Sequence, residues 1–238
     1  VANNHVGLPT TWVPDGQSWG ATTLPAALGS GSEGARRTLR SRWGIVGRPD
    51  EPVVLLRDDA SQVAWRWQGD RWAAAPELFA GAQIDEQPIA ISSDGRDRGV
   101  RLLDVEGDGC CELLVGNETL RRVLRWDFED SRWRPAAFGL PGDAAFVDDG
   151  GHDRGLRLVD LNDDLQLDVV FSNEERGAAY LFADSDTGWS RTLIDAARRD
   201  RVKLPMIVRG TTHNGALFHS RHIWLQNEDT SRLPDLVE

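Results

Sequence analysis

Between Asp97 and Pro135 short apolar runs are separated by clusters of turn-forming residues. The alternation and β-branched content predict strands at Gly99–Asp104, Glu112–Asn117 and Arg122–Asp127, with a fourth beginning near Trp133. Gly, Asn, Asp and Pro between these runs mark the turns.

The same pattern recurs 56 residues later. Residues 97–118 laid over 153–174 are identical at nine of 22 positions, among them Asp97/Asp153, Arg98/Arg154, Gly99/Gly155, Asp104/Asp160, Asp108/Asp164 and Asn117/Asn173. The offset continues through Trp126/Phe182 and Trp133/Trp189, so the repeating unit is a whole supersecondary element. Four short strands per repeat predict an all-β fold, a β-propeller built of four-stranded antiparallel blades. A third, shortened copy runs from Asn214-Gly215 to Asn227-Glu228, and has lost six residues, the length of a loop. A further copy covers Pro52–Trp72, with Trp72 in the place of Trp133. Blades are thus expected at about 49–92, 93–148, 149–204 and 205–238, forming a small closed ring or part of a larger one. Residues 1–48 show no period and read as a lead-in segment or closing strand, with a short helix expected around Ser32–Ser41.

Charge changes this picture in one respect. A net charge of −11 argues against a nucleic-acid partner, because that contact relies on Lys and Arg neutralising phosphates. Much of the acidity is concentrated in two short clusters, which points to cation ligation. No apolar run is long enough to span a bilayer, and the start of the chain lacks a basic-then-apolar leader pattern, as in a mature or excised segment.

The clusters are loops between the first and second strands of two repeats. Loop one offers Asp104, Glu106, Asp108, the Cys110 carbonyl and Glu112; loop two offers Asp160, Asn162, Asp164, the Gln166 carbonyl and Asp168. Oxygens at alternate positions of a tight loop suit Ca²⁺, which takes six to eight oxygen ligands, and two Ca²⁺ sites are expected. An EF-hand is excluded by the carboxylate at position 9 instead of 12, opening an apolar strand. The plain alternative is an acidic surface turn, since Asp, Asn and Gly favour turns without any ion. Against that, the carboxylates in each loop would repel one another in a bare turn. Leu165 stands where a glycine is expected.

These motifs resemble FG-GAP/VCBS repeats, as found in integrin-type propellers and many secreted bacterial proteins, over roughly residues 50–230. The segments GLRLVDLNDDLQLDVVFSNEERGAAYLF and NGALFHSRHIWLQNEDTSRLPDLV are similar to modules of large planctomycete proteins that also carry a membrane-bound-dehydrogenase-like propeller and a c-type haem domain. The resemblance implies a non-catalytic, calcium-stabilised binding or scaffold module of a secreted, periplasmic or cell-surface protein. Its partners would be a protein, a polysaccharide or other domains of the same polypeptide. The alternative is an accessory part of a haem-linked dehydrogenase or a propeller-type carbohydrate-active enzyme; no nucleophile elbow, paired catalytic acid or haem motif is present.

Other residues carry less. His213, His219 and His222 have spacing open to a transition metal, but read more simply as a polar hairpin replacing the lost loop. The Asp97-Arg98 and Asp153-Arg154 pairs recur, which argues for structure over catalysis. Trp126, Trp133 and Trp189 are expected in the core, whereas Trp65, Trp67, Trp72 and Trp224 are candidates for a ligand-facing aromatic patch. Cys110 and Cys111 are expected as thiols whose side chains point to opposite faces.

Overall fold

A computed structural model describes residues 2–3, 10–14, 19–23, 29–30, 38–39, 41–200, 202, 204–219 and 222–227. They form an all-β chain with several antiparallel four-stranded sheets. No helix among the described residues is long and apolar enough to cross a membrane. The contacts divide the chain into two compact units, Val1–Leu103, Gly109–Leu113 and Leu124–Arg134 in one, Asp104–Asp108, Leu114–Val123 and Pro135–Glu238 in the other.

The first sheet runs in the order Ser41–Ile45, Pro52–Arg57, Gln62–Trp67, Trp72–Ala74. Its second strand, paired Val53↔Arg66 on one side and Gly44↔Val53 on the other, is an unbroken apolar run because both faces are covered. Val54, Leu56 and Trp65 form a buried cluster under Val63 and Trp72. The first strand lies inside the segment without sequence period. The end of the helix expected around Ser32–Ser41 is strand instead, at Thr38–Leu39 and at Ser41, which opens the strand Ser41–Ile45 held by backbone pairing to Pro52–Arg57, a long-range contact that outweighs local propensity. Residues 32–37 and 40 of that expectation lie outside the described residues.

The second sheet has the order Val100–Leu103, Glu112–Gly116, Arg121–Asp127, Arg132–Pro135, each strand within two residues of its sequence expectation. The third repeats it as Leu156–Val159, Asp168–Ser172, Arg176–Leu181, Arg191–Ala197, in the register Leu156↔Phe171, Val170↔Ala179 and Gly177↔Ala196. The shortened copy is a two-stranded hairpin, Ala216–His219 with His222–Leu225, so the missing residues are the loop.

One connection recurs between successive repeats. The N–H groups of Ile91, Phe146 and Ile207 donate to the carbonyls of Arg57, Gly116 and Ser172 at 3.0, 2.9 and 3.1 Å. Each joins the lead-in of one repeat to the second strand of the repeat before it. Gly155 and Gly215 then turn the chain with φ of 90° and 71°, where a Cβ would overlap the carbonyl oxygens of Ser172 and Gln226. Asn173 and Asn227 close this corner alike, their side-chain amides donating to the carbonyls of Arg154 and Asn214 at 3.2 and 3.0 Å.

Candidate metal loops and the repeat corner

Loop two leaves the strand Leu156–Val159 and enters Asp168–Ser172, so the strand flanks expected of a non-EF-hand loop are present. Asp160 organises the turn: its Oδ1 accepts from the N–H groups of Asn162 and Asp163 (3.2 and 2.7 Å), and its Oδ2 from Leu165 (3.1 Å). Asp164 Oδ1 accepts from the N–H of Gln166 at 2.9 Å, and its Oδ2 from the Asn162 side-chain amide at 2.8 Å. Asp168, 0% exposed, accepts from Leu161 N through Oδ2 and from Phe182 N through Oδ1, both at 2.8 Å. Burial pushes the Asp168 carboxyl above the usual carboxylate range; its two N–H donors oppose this, and the Asp164 and Asp160 charges add to it.

Loop one shows the same local design. Asp104 Oδ1 accepts from Gly107 N at 2.8 Å and from Asp108 N at 3.1 Å. Glu106 Oε2 accepts from the Ser185 hydroxyl at 2.7 Å, and Asp108 is exposed. Glu112, like Asp168, is buried at the start of its strand. The loops meet where Leu167 N donates to Val105 O at 2.9 Å and Gly107 lies over the Leu165 carbonyl. Among the described residues, no three His, Cys, Asp or Glu side chains are grouped as metal ligands. The carboxylates of Asp160, Asp164 and Asp168 each accept from backbone N–H groups.

Positive φ falls at equivalent places in both loops, at Gly107 and Gly109 (73° and 87°) and at Asp163 and Leu165 (64° and 69°). Leu165 is 77% exposed, so nothing is gained by burial in exchange for the strain. We expect Leu165→Gly to stabilise by about 0.5–1 kcal/mol, because the left-handed conformation costs a side-chain-bearing residue roughly 1–2 kcal/mol and glycine's extra freedom returns only part of that. A urea midpoint that falls in this variant would refute that account.

Comparison with protein-family models, curated proteins and solved structures finds no match.

The recurring Asp serves a corner in each repeat. Asp97 Oδ1 and Asp153 Oδ1 accept from the N–H groups of Gly99 and Gly155, both at 2.8 Å, and from Arg101 and Arg157 at 3.1 and 3.0 Å. His213 takes this place in the shortened copy, its Nδ1 accepting from Gly215 N at 3.1 Å. His213 thus holds the corner of the shortened copy; the side chains of His219 and His222 lie outside the described residues. Each of these Asp side chains bonds the Arg four residues on, Arg101 and Arg157.

Arg42, in the aperiodic segment, is a partner that sequence reasoning missed. It is buried, donates from Nη2 to Asp97 Oδ1 at 2.8 Å and from Nη1 to Ser41 O at 3.0 Å, and also donates to Val100 O. Burial, then the Arg101 charge, lowers its pKa to about 10 against the opposing pull of Asp97.

Trp126, Trp133 and Trp189 are buried as expected, and Trp65 joins them in the core. Trp67 and Trp72 are half-buried and pack with the partly exposed Trp43, the rings of Trp43 and Trp72 meeting edge to face at 5.7 Å. Trp224 is exposed. Cys110 and Cys111 are thiols, and neither belongs to a strand, so the alternation that would send their side chains to opposite faces does not apply to them. Both precede the strand, and they accept from Gly47 N and Ile45 N, each at 3.4 Å.

Proposed function

We propose that this chain is a non-catalytic binding or scaffold module of a secreted multidomain protein, a propeller-type repeat array whose Asp-rich loops are pinned by Ca²⁺. The observation that carries the reading is loop two. A wholly buried carboxylate, Asp168, opens a strand while the charges of Asp160 and Asp164 act on it. A divalent cation offsets that repulsion. The donor set of Asp160, Asn162, Asp164, Asp168 and the Gln166 carbonyl is all oxygen, the chemistry a hard cation takes. Four-stranded meanders at a fixed 56-residue offset, joined by a recurring hydrogen bond, support the propeller-type arrangement. A protein or polysaccharide is the expected partner class, beside other domains of the polypeptide.

Thermal unfolding with Ca²⁺ and with chelator tests the reading. With Ca²⁺ at about 100 times a Kd near 10⁻⁴ M, stabilisation of roughly 2.7 kcal/mol is expected from each loop, each raising Tm by about 5–10 °C. Asp164→Ala and Asp108→Ala should each remove part of the rise, and together all of it. Equal Tm values in Ca²⁺ and chelator would leave two acidic turns and no calcium module.

pH gives a second measure. The folded pKa of Asp168 is raised, so without cation its contribution to stability is fully present below the unfolded value and is lost as pH rises through the folded pKa. Ca²⁺ competes with that proton, so its stabilising effect should grow over the same interval, above about pH 4. A calcium-induced Tm shift independent of pH there would place the ion away from Asp168.

A further inference from the structure

The corner that opens a repeat recurs at Gly99, Gly155 and Gly215, and its last copy uses different chemistry. All three glycines turn the chain with positive φ (72°, 90° and 71°), and each donates its N–H to the side chain two residues before it. In the first two that acceptor is a carboxylate, Asp97 or Asp153, which also binds the arginine four residues on. In the shortened copy both members of this pair are exchanged: His213 stands for the aspartate, and Leu217, 65% exposed, for the arginine. Among the described residues, Gly215 N is bonded to a single acceptor, His213 Nδ1 at 3.1 Å.

The two kinds of acceptor respond differently to a proton. A carboxyl group keeps an acceptor oxygen whether ionised or protonated. An imidazole accepts only through an unprotonated ring nitrogen, and a backbone N–H can only donate, so the bond to Gly215 fixes His213 as the neutral tautomer with its proton on Nε2. Imidazolium has two N–H donors and no acceptor; protonation therefore sets Nδ1–H against the Gly215 N–H and breaks the bond. His213 is exposed, so the proton reaches it and the charged ring can turn out to water. The other bonds of this corner use no titrating group: Asn214 N donates to Ile207 O, the Asn214 amide to Met206 O and the Asn227 amide to Asn214 O, at 2.8, 3.0 and 3.0 Å. Charges on the neighbouring elements are engaged elsewhere. Glu174 holds Gly210 N, Arg154 meets Glu175, and Arg157 is tied to Asp153. Arg209, on the strand paired with Thr212–His213, lies opposite Thr212 in register, and His219 and His222 oppose each other at the far end of the hairpin.

We propose that the corner of His213 and Gly215 is a pH-sensitive latch, closed while the imidazole is neutral and opened by its protonation, which loosens the entry to the hairpin of Ala216–His219 and His222–Leu225 in acid while the Asp97 and Asp153 corners stay shut. An imidazole in water takes its proton near about pH 6.5, so the change is sought between about pH 7.5 and about pH 5. The loss of the arginine fits the same design, because a neutral acceptor needs no cation beside it and only one bond has to break.

The test is amide hydrogen exchange at Gly215, followed by NMR on the whole chain, with Gly99 and Gly155 as references and rates corrected for the intrinsic dependence of exchange on pH. Protection at Gly215 is expected to fall about threefold or more from about pH 7.5 to about pH 5 while both references hold. His213→Asp, alone or with Leu217→Arg, installs the chemistry of the other two corners and should abolish the fall. His213→Ala should show the low protection at both pH values. Wild-type protection at Gly99 and Gly155 would show each variant folded. Constant protection at Gly215 in the wild-type chain overturns the latch. So does a fall that persists in His213→Asp, which would assign the pH response to like charges on the opposed His219 and His222.

Discussion

Asp168→Ala is expected to destabilise the fold by about 2–4 kcal/mol, seen as a lower urea midpoint at unchanged slope. Two effects oppose each other at this residue. Removing a buried carboxylate relieves the desolvation that raises its pKa and the repulsion from Asp164 and Asp160. It also strips the acceptor from Leu161 N and Phe182 N, the second of them a buried bond. Each buried N–H left unmet costs roughly 1–3 kcal/mol, and two such losses exceed the relief of one partly compensated charge. Asp168→Asn separates the terms. Its amide oxygen serves one N–H while its NH₂ faces the other, so it should lose about half as much as alanine. An alanine variant as stable as wild type would show that the two N–H groups find other acceptors, and that Asp168 is not the pin between loop two and the third strand of its sheet.

Trp133→Ala should cost about 3–5 kcal/mol, the range for deleting a large buried aromatic. Trp133 is 1% exposed, meets Trp126 edge to face at 5.3 Å, and donates from its indole N–H to Leu78 O at 2.8 Å. Its backbone N–H donates to Ala80 O at 2.8 Å, and Gly81 lies so close to its carbonyl that a Cβ there would overlap it. The side chain therefore anchors the segment Pro76–Ala82 as well as filling core volume. Trp133→Phe distinguishes the roles: it retains most of the apolar surface and loses the indole bond, so it should fall between wild type and alanine, with at least about 1 kcal/mol of loss from Leu78 O alone. If phenylalanine and alanine proved equally destabilising, the hydrogen bond and not the volume would be the larger contribution.

The repeat explains how much of the fold was legible. Strands from Val100 to Pro135 were read to within two residues because apolar runs, turn residues and a second copy 56 residues on all agree. The shortened third copy was legible for the same reason: six missing residues between Gly215 and Asn227 leave room only for a hairpin. Loop positions and burial of Trp126, Trp133 and Trp189 also followed from register. Where contacts distant along the chain decide the outcome, periodicity does not reach it. The strand Ser41–Ile45 has too little periodicity of its own, and is a strand because Pro52–Arg57 offers it an edge. Strand alternation predicts nothing for the cysteines, which lie before the strand and accept from two N–H groups of the Ile45–Gly47 segment.

For this protein the sequence alone determined what is local: strand and turn positions, the oxygen-rich composition of two loops, and the repeat that makes a corner Asp structural. Tertiary structure decided what depends on partners distant along the chain. It brought Phe182 N to Asp168, Arg42 to Asp97, and Val208 and Gly210 to the turn beside Arg154. The physical reason is the same in each case. Periodicity and turn chemistry act over a few residues, whereas the burial of a charge and the pairing of an N–H are settled only when strands far apart in sequence are packed together.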